Sequence, residues 1–180
     1  MNVELRAIRL TLRDFVAADE AAVHAYASDP VVTRFLVWGP NTAEDTHRFI
    51  RDAIACSQAP ERTNFDLAVV HTESQKLIGG AAIRVTDAER HEGEIGYVFS
   101  RDVWSRGYAT EAAEALLRFG FDHLGLRRIT ATCDAGNHAS AKVLQKAGMH
   151  LEDNVPVSVR GSWRDCLLFG CTEMVTARGQ

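Results

Sequence analysis

The sequence predicts an α/β fold in which a mixed β-sheet is flanked by helices. Segments that alternate apolar and polar residues predict strands, and apolar residues spaced three and four apart predict helices. Along the chain the order is β, α, α, three strands, α, β, α, β, β. Strands joined by short turns indicate antiparallel pairs, whereas strand–helix–strand units indicate parallel neighbours. The two together predict a mixed sheet, in an order unlike that of a doubly wound nucleotide-binding fold.

The individual elements follow from local signals. Thr42 and Asp45 form a capping arrangement ahead of the second helix, and Gly79 and Gly80 inside a strand predict a bulge or a close backbone approach. Asn137 is a good helix N-cap. The predicted strands are residues 5–13, 64–71, 76–86, 92–100, 128–134, 149–159 and 163–175, and the predicted helices begin near residues 16, 43, 109 and 138.

Residues 100–125 are the stretch around which the chain is organised. A strand leads into a turn of small residues, Ser105 to Gly107, and a helix follows with Glu111 in its first turn and Gly125 after its end. The first N–H groups of a helix lack partners and carry partial positive charge, so such a turn can hold phosphate oxygens. Taken alone, the turn is equally consistent with an ordinary connection that binds no ligand. Glu111 is interpreted as a carboxylate that the helix dipole stabilises, without a catalytic role.

Composition limits the classes of function. The 180 residues suit one domain, residues 1–180, and 46% are hydrophobic and 24% charged, as in soluble globular proteins. A net charge of −4 without a basic run argues against nucleic acid as the main partner, and no apolar segment approaches membrane-spanning length. Charges at the amino terminus leave no room for a signal peptide, so we expect a cytoplasmic protein.

Cysteine and histidine spacing predicts no metal site. The four cysteines, Cys56, Cys133, Cys166 and Cys171, form no CxxC pair, and the seven histidines show no HxxxH or HExxH spacing. Reduced, buried thiols are therefore the expected state of the cysteines.

Several motifs in order along the chain resemble the GNAT superfamily of acyl-CoA-dependent N-acyltransferases, in particular its RimJ/RimL type. They are IRLTLRDF, SDPVVTRFLVWGP, EIGYVF, VWSRGYATEA, NHASAKVLQKAGM and GSWRDCLLFG, which together span almost the whole sequence. The resemblance implies a mixed six- to seven-stranded sheet flanked by helices, and acetyl transfer from acetyl-CoA, as co-substrate, to an amine.

The resemblance also implies where acetyl-CoA binds. The family's pyrophosphate loop, Q/R-x-x-G-x-G/A, matches residues 104–109, except that Trp104 stands at the first position. Backbone N–H groups of this loop would hold the pyrophosphate, a bulged strand would pair with the pantetheine arm, and the Asn137 amide would bond that arm. The implied cofactor-binding residues are Val98, Phe99, Ser100, Arg106, Gly107, Tyr108, Ala109, Thr110 and Asn137.

Two residues are the catalytic candidates. Many GNAT enzymes carry a tyrosine at the position of Leu144, whereas RimL-like enzymes have a serine at the position of Ser140, so the resemblance favours Ser140 as donor to the departing thiolate. Glu94 is the candidate base for the incoming amine, with a structural strand-edge carboxylate as the open alternative. Arg34, Trp38 and Trp163 lie on segments that line the acceptor site in similar proteins.

The sequence is consistent with two classes of function. One is an N-acetyltransferase acting on a protein N-terminal α-amine or a small-molecule amine, and the other is a non-catalytic acyl-CoA-binding or regulatory module. Ser140 and Glu94 together favour the enzyme, because a binding module needs neither. A phosphotransferase is disfavoured because the GxxxxGK[ST] motif is missing. The expected assembly is a monomer or a homodimer.

Overall fold

A computed structural model describes residues 3–159 and 161–173, which form one eight-stranded sheet with helices on both faces. The strands are β1 (Glu4–Arg6), β2 (Leu10–Asp14), β3 (Asn64–His71), β4 (Lys76–Asp87), β5 (Glu92–Phe99), β6 (Arg128–Asp134), β7 (His150–Val159) and β8 (Ser162–Thr172). The α-helices are α1 (Glu20–Ala27), α2 (Ala43–Ser57), α3 (Tyr108–Asp122) and α4 (His138–Lys146). Short 3₁₀ turns cover Ala17–Asp19, Thr33–Phe35 and Arg101–Val103.

Strand order in the sheet is β1-β2-β3-β4-β5-β6-β8-β7, and every pair is antiparallel except β5 with β6. The parallel pair is joined through α3, as the strand–helix–strand pattern requires. The predicted mixed sheet flanked by helices is therefore confirmed.

Each face of the sheet carries its own apolar core. On one face, α3 and α4 cover a large cluster that includes Leu12, Leu67, Ile83 and Ile129, all of them fully buried. On the opposite face, α1 and α2 cover a smaller cluster built on Phe15, Val23, Ile50 and Ala68. The strands are buried on both sides near the middle of the sheet, which explains the continuous apolar runs in the sequence.

The sheet has one strand more than predicted, because residues 5–13 fold back instead of forming one strand. The Ala7 N–H donates to the Leu10 carbonyl at 2.9 Å and closes a turn between β1 and β2. A single strand over residues 5–13 would put Ile8 on the same face as the buried Leu10, but Ile8 is 92% exposed. The prediction of a single strand is wrong here because the backbone N–H and the guanidinium of Arg9 are bound to Glu111 of α3.

The local signals of the other elements are confirmed. Thr42 and Asp45 form a reciprocal capping box on α2, and Asn137 accepts the Ser140 N–H at 3.1 Å as the N-cap of α4. The register between β3 and β4 shifts opposite Gly79, where a Cβ would come within 2.3 Å of the Val98 carbonyl oxygen. Residues 174 and 175 of the last predicted strand lie outside the described residues.

Candidate active site

A gap opens in the sheet where the two parallel strands separate. β5 and β6 pair only from Glu92 and Arg128 as far as Glu94 and Thr130, although both strands continue for several residues more. Their outer edges stay paired with β4 and β8. Only the two inner edges therefore keep backbone N–H and C=O groups without a strand partner, and an extended ligand with amide groups can pair with them.

The amino ends of two helices lie at the open end of this gap. α3 begins shortly after the carboxyl end of β5, and α4 follows the carboxyl end of β6 in the same way. Gly107 is the N-cap of α3 and has a φ of +83°, a conformation that L side chains rarely adopt. It offers no side-chain cap, so the first N–H groups of α3 are left for another acceptor.

An ion pair between the buried Glu111 and the exposed Arg9 holds the turn before α3 in place. Glu111 is only 8% exposed, and its carboxylate accepts from the backbone N–H and, at 2.9 Å, from the Nε of Arg9. The same guanidinium donates to the Arg106 carbonyl at 3.1 Å and lies 4.5 Å above the Tyr108 ring. Arg9 thus links the β1–β2 turn to the turn of residues 105–107 and to the first turn of α3.

Trp104 stands where the family pattern has Gln or Arg, and it joins the turn to the end of β5. Its indole N–H donates to the Phe99 carbonyl at 2.9 Å. The Ser100 N–H donates to the Ile78 carbonyl at 2.9 Å, and the Ser100 hydroxyl donates to Asp102. These bonds fix the end of β5 and leave fewer groups free on Phe99 and Ser100 than the sequence interpretation assumed.

The bulge expected in the strand around residues 98–100 is not found there. β5 pairs with β4 in a regular register from Ile95 to Phe99. The shift in register lies instead on the other side of β4, where it faces β3. The gap therefore arises from the divergence of β5 and β6 and not from an irregular β5–β4 ladder.

Ser140 meets Tyr97 across the gap. The two hydroxyl oxygens are 2.9 Å apart, and the Tyr97 hydroxyl is also 3.3 Å from the Ser140 carbonyl oxygen. Tyr97 projects from β5 on the face covered by α3 and α4, and Ser140 lies in the first turn of α4. Burial raises the pKa of the Tyr97 phenol well above its ordinary value, so it stays a neutral hydrogen-bonding group.

Cys133 is the third member of this cluster. It is 8% exposed at the end of β6, and burial raises its pKa to about 11, although a hydrogen bond with Ser140 partly opposes the shift. A thiol with such a pKa is almost entirely protonated near neutral pH and is a poor nucleophile. All four cysteines are free, as predicted. Cys133 and Cys166 are also buried as predicted, whereas Cys56 and Cys171 are only partly buried.

Glu94 lies on the opposite face of the sheet from Ser140. It belongs to the last pair of residues before β5 and β6 separate, opposite Thr130, and Val98 on the same face packs with the α1–α2 core. Within the described ranges, 3–159 and 161–173, its half-buried side chain has no hydrogen bond or salt bridge. The two predicted catalytic residues thus flank the gap from its two sides.

The three predicted acceptor residues are only partly brought together. Arg34 lies on the 3₁₀ turn Thr33–Phe35, and its carbonyl accepts from Arg164, which is itself paired with Asp134 at 3.6 Å. This contact brings the turn to the end of β6. Trp38 follows soon after and is 38% exposed, whereas Trp163, 74% exposed, projects from the end of the β7–β8 hairpin.

Other site types have less support. In the part of the chain that the structure describes, no three or more His, Cys, Asp or Glu residues are grouped to hold a metal ion, and no helix is long and apolar enough to cross a membrane. Two surface depressions of ≈ 390 and ≈ 490 Å³ lie along β1 and β2. Neither includes a residue of the gap.

Comparison with known proteins identifies the family. The model of the acetyltransferase (GNAT) domain family matches residues 9–150. The N-acetyltransferase YnaD of Bacillus subtilis is 35% identical over 144 residues, which cover 80% of this chain and 81% of YnaD. This chain belongs to the GNAT acetyltransferase family. GNAT enzymes use acetyl-CoA as the acetyl donor.

Solved structures agree with this assignment. A GNAT-family acetyltransferase from Bacillus anthracis superposes with a TM-score of 0.85 at 31% identity, covering 94% of this chain and 98% of that one. RimL, the ribosomal L7/L12 α-N-protein acetyltransferase, superposes with a TM-score of 0.82 at 17% identity, covering 96% of each chain. The second likeness concerns the fold alone.

Proposed function

We propose that this GNAT acetyltransferase transfers the acetyl group of acetyl-CoA to a primary amine, either a protein N-terminal α-amine or a small-molecule amine, by direct attack in a ternary complex. The observation that carries the proposal is the gap between β5 and β6, flanked by Ser140 on one face and Glu94 on the other. A thioester placed in the gap would expose its carbonyl carbon towards one face and its sulfur towards the other.

The proposed binding mode uses the backbone. The N–H groups of residues 106–110, at the amino end of α3, hold the pyrophosphate of acetyl-CoA, and the positive end of the helix dipole favours its charge. The Arg9–Glu111 pair keeps this turn in shape before the ligand arrives. The pantetheine arm then pairs with the inner edges of β5 and β6, where backbone groups lack a strand partner.

The proposed chemistry needs one base and one hydrogen-bond donor. Glu94 takes a proton from the acceptor ammonium, directly or through water, and the free amine attacks the thioester carbonyl carbon. The C–N bond forms and the C–S bond breaks, and its electron pair leaves on sulfur. Ser140 gives its hydroxyl proton to the departing sulfur and is reprotonated, through water, by the second proton that the acylated nitrogen loses, so the products are the amide and the CoA thiol. Because the Tyr97 hydroxyl lies 2.9 Å from that of Ser140, it fixes the orientation of the serine. The main contribution is the positioning of amine and thioester, which reaches about 7–11 kcal/mol in favourable cases.

The covalent route through a cysteine has little support. Cys133 is the thiol nearest the gap, but burial raises its pKa to about 11, so it lacks the thiolate character of an acyl-accepting cysteine. Its contact with Ser140 makes it part of the wall around the sulfur site.

A turnover screen tests the proposal against the non-catalytic alternative. The protein is incubated with acetyl-CoA and a panel of N-terminal peptides and small amines, and release of free CoA thiol is followed with a thiol reagent. Amine-dependent release that falls in Ser140→Ala and Glu94→Gln supports the enzyme. Tight binding of CoA without release for any amine would mean that the chain is a binding module.

A further inference from the structure

The α1–α2 face of the sheet carries a polar trough beside the gap, which we define by Asp66, Glu94, Gly96 and Tyr26. Asp66 lies on β3, Gly96 lies two strands away on β5, and Ala82 of β4 pairs with both. Glu94 lies two residues before Gly96 on the same face, at the point where β5 and β6 separate. The trough therefore reaches from the gap to the strand beneath α2.

The floor of the trough is open. Gly96 is exposed although it lies in a central strand, and a Cβ built on it would meet no atom within 4 Å. Central strands of a sheet covered on both faces are normally filled by side chains. A glycine with empty space above it leaves room for a ligand beside the thioester position.

Tyr26 gives an independent indication that something polar binds here. The residue is 3% exposed, and its hydroxyl has no hydrogen bond among residues 3–159 and 161–173. The hydroxyl oxygen lies 3.1 Å from where a Cβ on Gly80 would stand, and Gly80 pairs with Val98 of β5. Although the side chain is buried, the hydroxyl oxygen is not among the fully buried unpartnered atoms of the described residues, so it reaches the solvent of the trough. It is therefore available as a hydrogen-bonding partner for a ligand that enters the trough.

Asp66 also carries an oxygen atom without a hydrogen-bond partner among the described residues. One of its oxygens accepts from the Asn64 amide at 2.8 Å, and the other has no partner within the described residues. Arg84 is on the same face, but its Nε donates to Asn64 at 3.0 Å and not to Asp66. Burial raises the pKa of Asp66 even though Arg84, Asn64 and Arg62 oppose the shift, because the carboxylate has lost more hydration than these neighbours restore.

The distance between Asp66 and Glu94 decides how many charges a ligand needs to bind both. Two strand separations and two residues along the strand put their Cα atoms about 12 Å apart in a regular sheet. Strand side chains stand roughly perpendicular to the sheet, so the two carboxylates are expected to be about as far apart as their Cα atoms. Charge-assisted hydrogen bonds are about 2.7–2.9 Å long, so one ammonium group does not bond both carboxylates at this separation. A ligand that satisfies both carboxylates must carry two positive charges.

We infer that the amine acceptor is an oligoamine, whose reacting nitrogen lies beside Glu94 at the gap while a second, still protonated nitrogen is held by Asp66 and Tyr26. This inference rests on the proposed function and names the class of its acceptor. Asp66 is an anchor for the substrate in this scheme and takes no part in proton transfer. Arg62 is already paired with Asp14 at 2.7 Å, so against the two carboxylates there remains the guanidinium of Arg84. The net charge beside Asp66 and Glu94 is therefore negative, which suits a cation.

Steady-state kinetics with two amines test the inference. Butylamine carries one positive charge, and spermidine, a linear triamine, carries more than one. The wild type is expected to show a kcat/KM for spermidine at least about tenfold above that for butylamine, the size of a charged hydrogen bond. Asp66→Asn is expected to abolish this preference by raising KM for spermidine, and Tyr26→Phe to reduce it several-fold, with KM for acetyl-CoA unchanged in both. Glu73→Gln, an exposed carboxylate in the β3–β4 turn, is the matched control.

The outcomes separate this inference from the proposed function. Equal kcat/KM for the two amines in the wild type, or an equal loss for both in Asp66→Asn, would overturn the oligoamine assignment. Release of CoA with peptides but not with spermidine would do the same and leave the acetyltransferase proposal standing. If no amine or peptide releases CoA, the proposed function itself fails. Thermal melts confirm that the near-isosteric Asp66→Asn variant is folded.

Discussion

Removing the Tyr97 hydroxyl tests whether it orients Ser140 towards the sulfur of acetyl-CoA. In Tyr97→Phe, Ser140 loses a partner at 2.9 Å but keeps its place as the first-turn residue bonded to the Asn137 cap. The contact is a single neutral hydrogen bond, for which about 0.5–1.5 kcal/mol is typical. If all of it serves to orient Ser140 in the transition state, kcat falls by about 2- to 10-fold.

Ser140→Ala removes the donor itself and is expected to cost more. Proton donation by a positioned side chain contributes roughly 10²–10⁴-fold, so a loss of about 10²-fold in kcat is expected. Because Tyr97 acts through Ser140, the double variant should be no slower than Ser140→Ala by more than about twofold. Free CoA release at saturating acetyl-CoA and amine measures all four proteins.

The result that would refute this reasoning is additivity. If Tyr97→Phe slows the Ser140→Ala enzyme by the same factor as it slows the wild type, the two hydroxyls act independently and the positioning role is wrong. An increase in KM for acetyl-CoA with kcat unchanged would place the Tyr97 hydroxyl in ground-state binding instead. Thermal melts exclude a general loss of structure as the cause.

Three further predictions concern other parts of the site. Glu111→Gln and Arg9→Met should both weaken CoA binding measured by calorimetry, because each releases the turn before α3; unchanged affinity in both would exclude a bracing role. Because burial raises the pKa of Asp66, its ionisation opposes folding, so Asp66→Asn should raise Tm at neutral pH. That gain should vanish as the pH falls below the ordinary pKa of 3.8, and a lower Tm at neutral pH would contradict the sign. With a pKa of about 11, Cys133 should react with iodoacetamide far more slowly at pH 7 than a free thiol, and Cys133→Ala should keep turnover; fast labelling that stops turnover without blocking CoA binding would favour a covalent role.

The sequence predicted what depends on neighbouring residues. The helix cap at Asn137 and the capping arrangement of Thr42 with Asp45 follow from residue type and spacing, and both are found. The alternation in EIGYVF correctly separated Glu94 from Tyr97 on the two faces of β5. The family pattern then pointed to Ser140, which the structure places at the gap.

What the sequence missed depends on contacts between distant segments. Glu111 was interpreted as a carboxylate stabilised by the helix dipole, but its partner Arg9 is 102 residues away, and that pairing turns the predicted first strand into a hairpin. The bond between Tyr97 and Ser140 spans 43 residues. The local periodicity of apolar residues predicts neither pair. The one signal available in the sequence was chemical: a tyrosine that faces the core needs a hydrogen-bond partner for its hydroxyl.

Asp66 shows a second limit of sequence interpretation. Its place in a strand between Phe65 and Leu67 is typical of a solvated residue on an amphipathic strand. Only the placement of α1 over β4, which brings the Tyr26 hydroxyl near Gly80, buries that face and turns the carboxylate into a candidate anchor. Burial of this kind is a property of the assembled layers and not of the strand.

The most direct test of the account is a crystal structure of the protein with CoA bound. We expect the pyrophosphate within hydrogen-bonding distance of the N–H groups of residues 106–110, the pantetheine arm between β5 and β6, and the thiol beside Ser140. CoA bound with its pyrophosphate away from the start of α3, or with its arm outside the gap, would contradict the central claim.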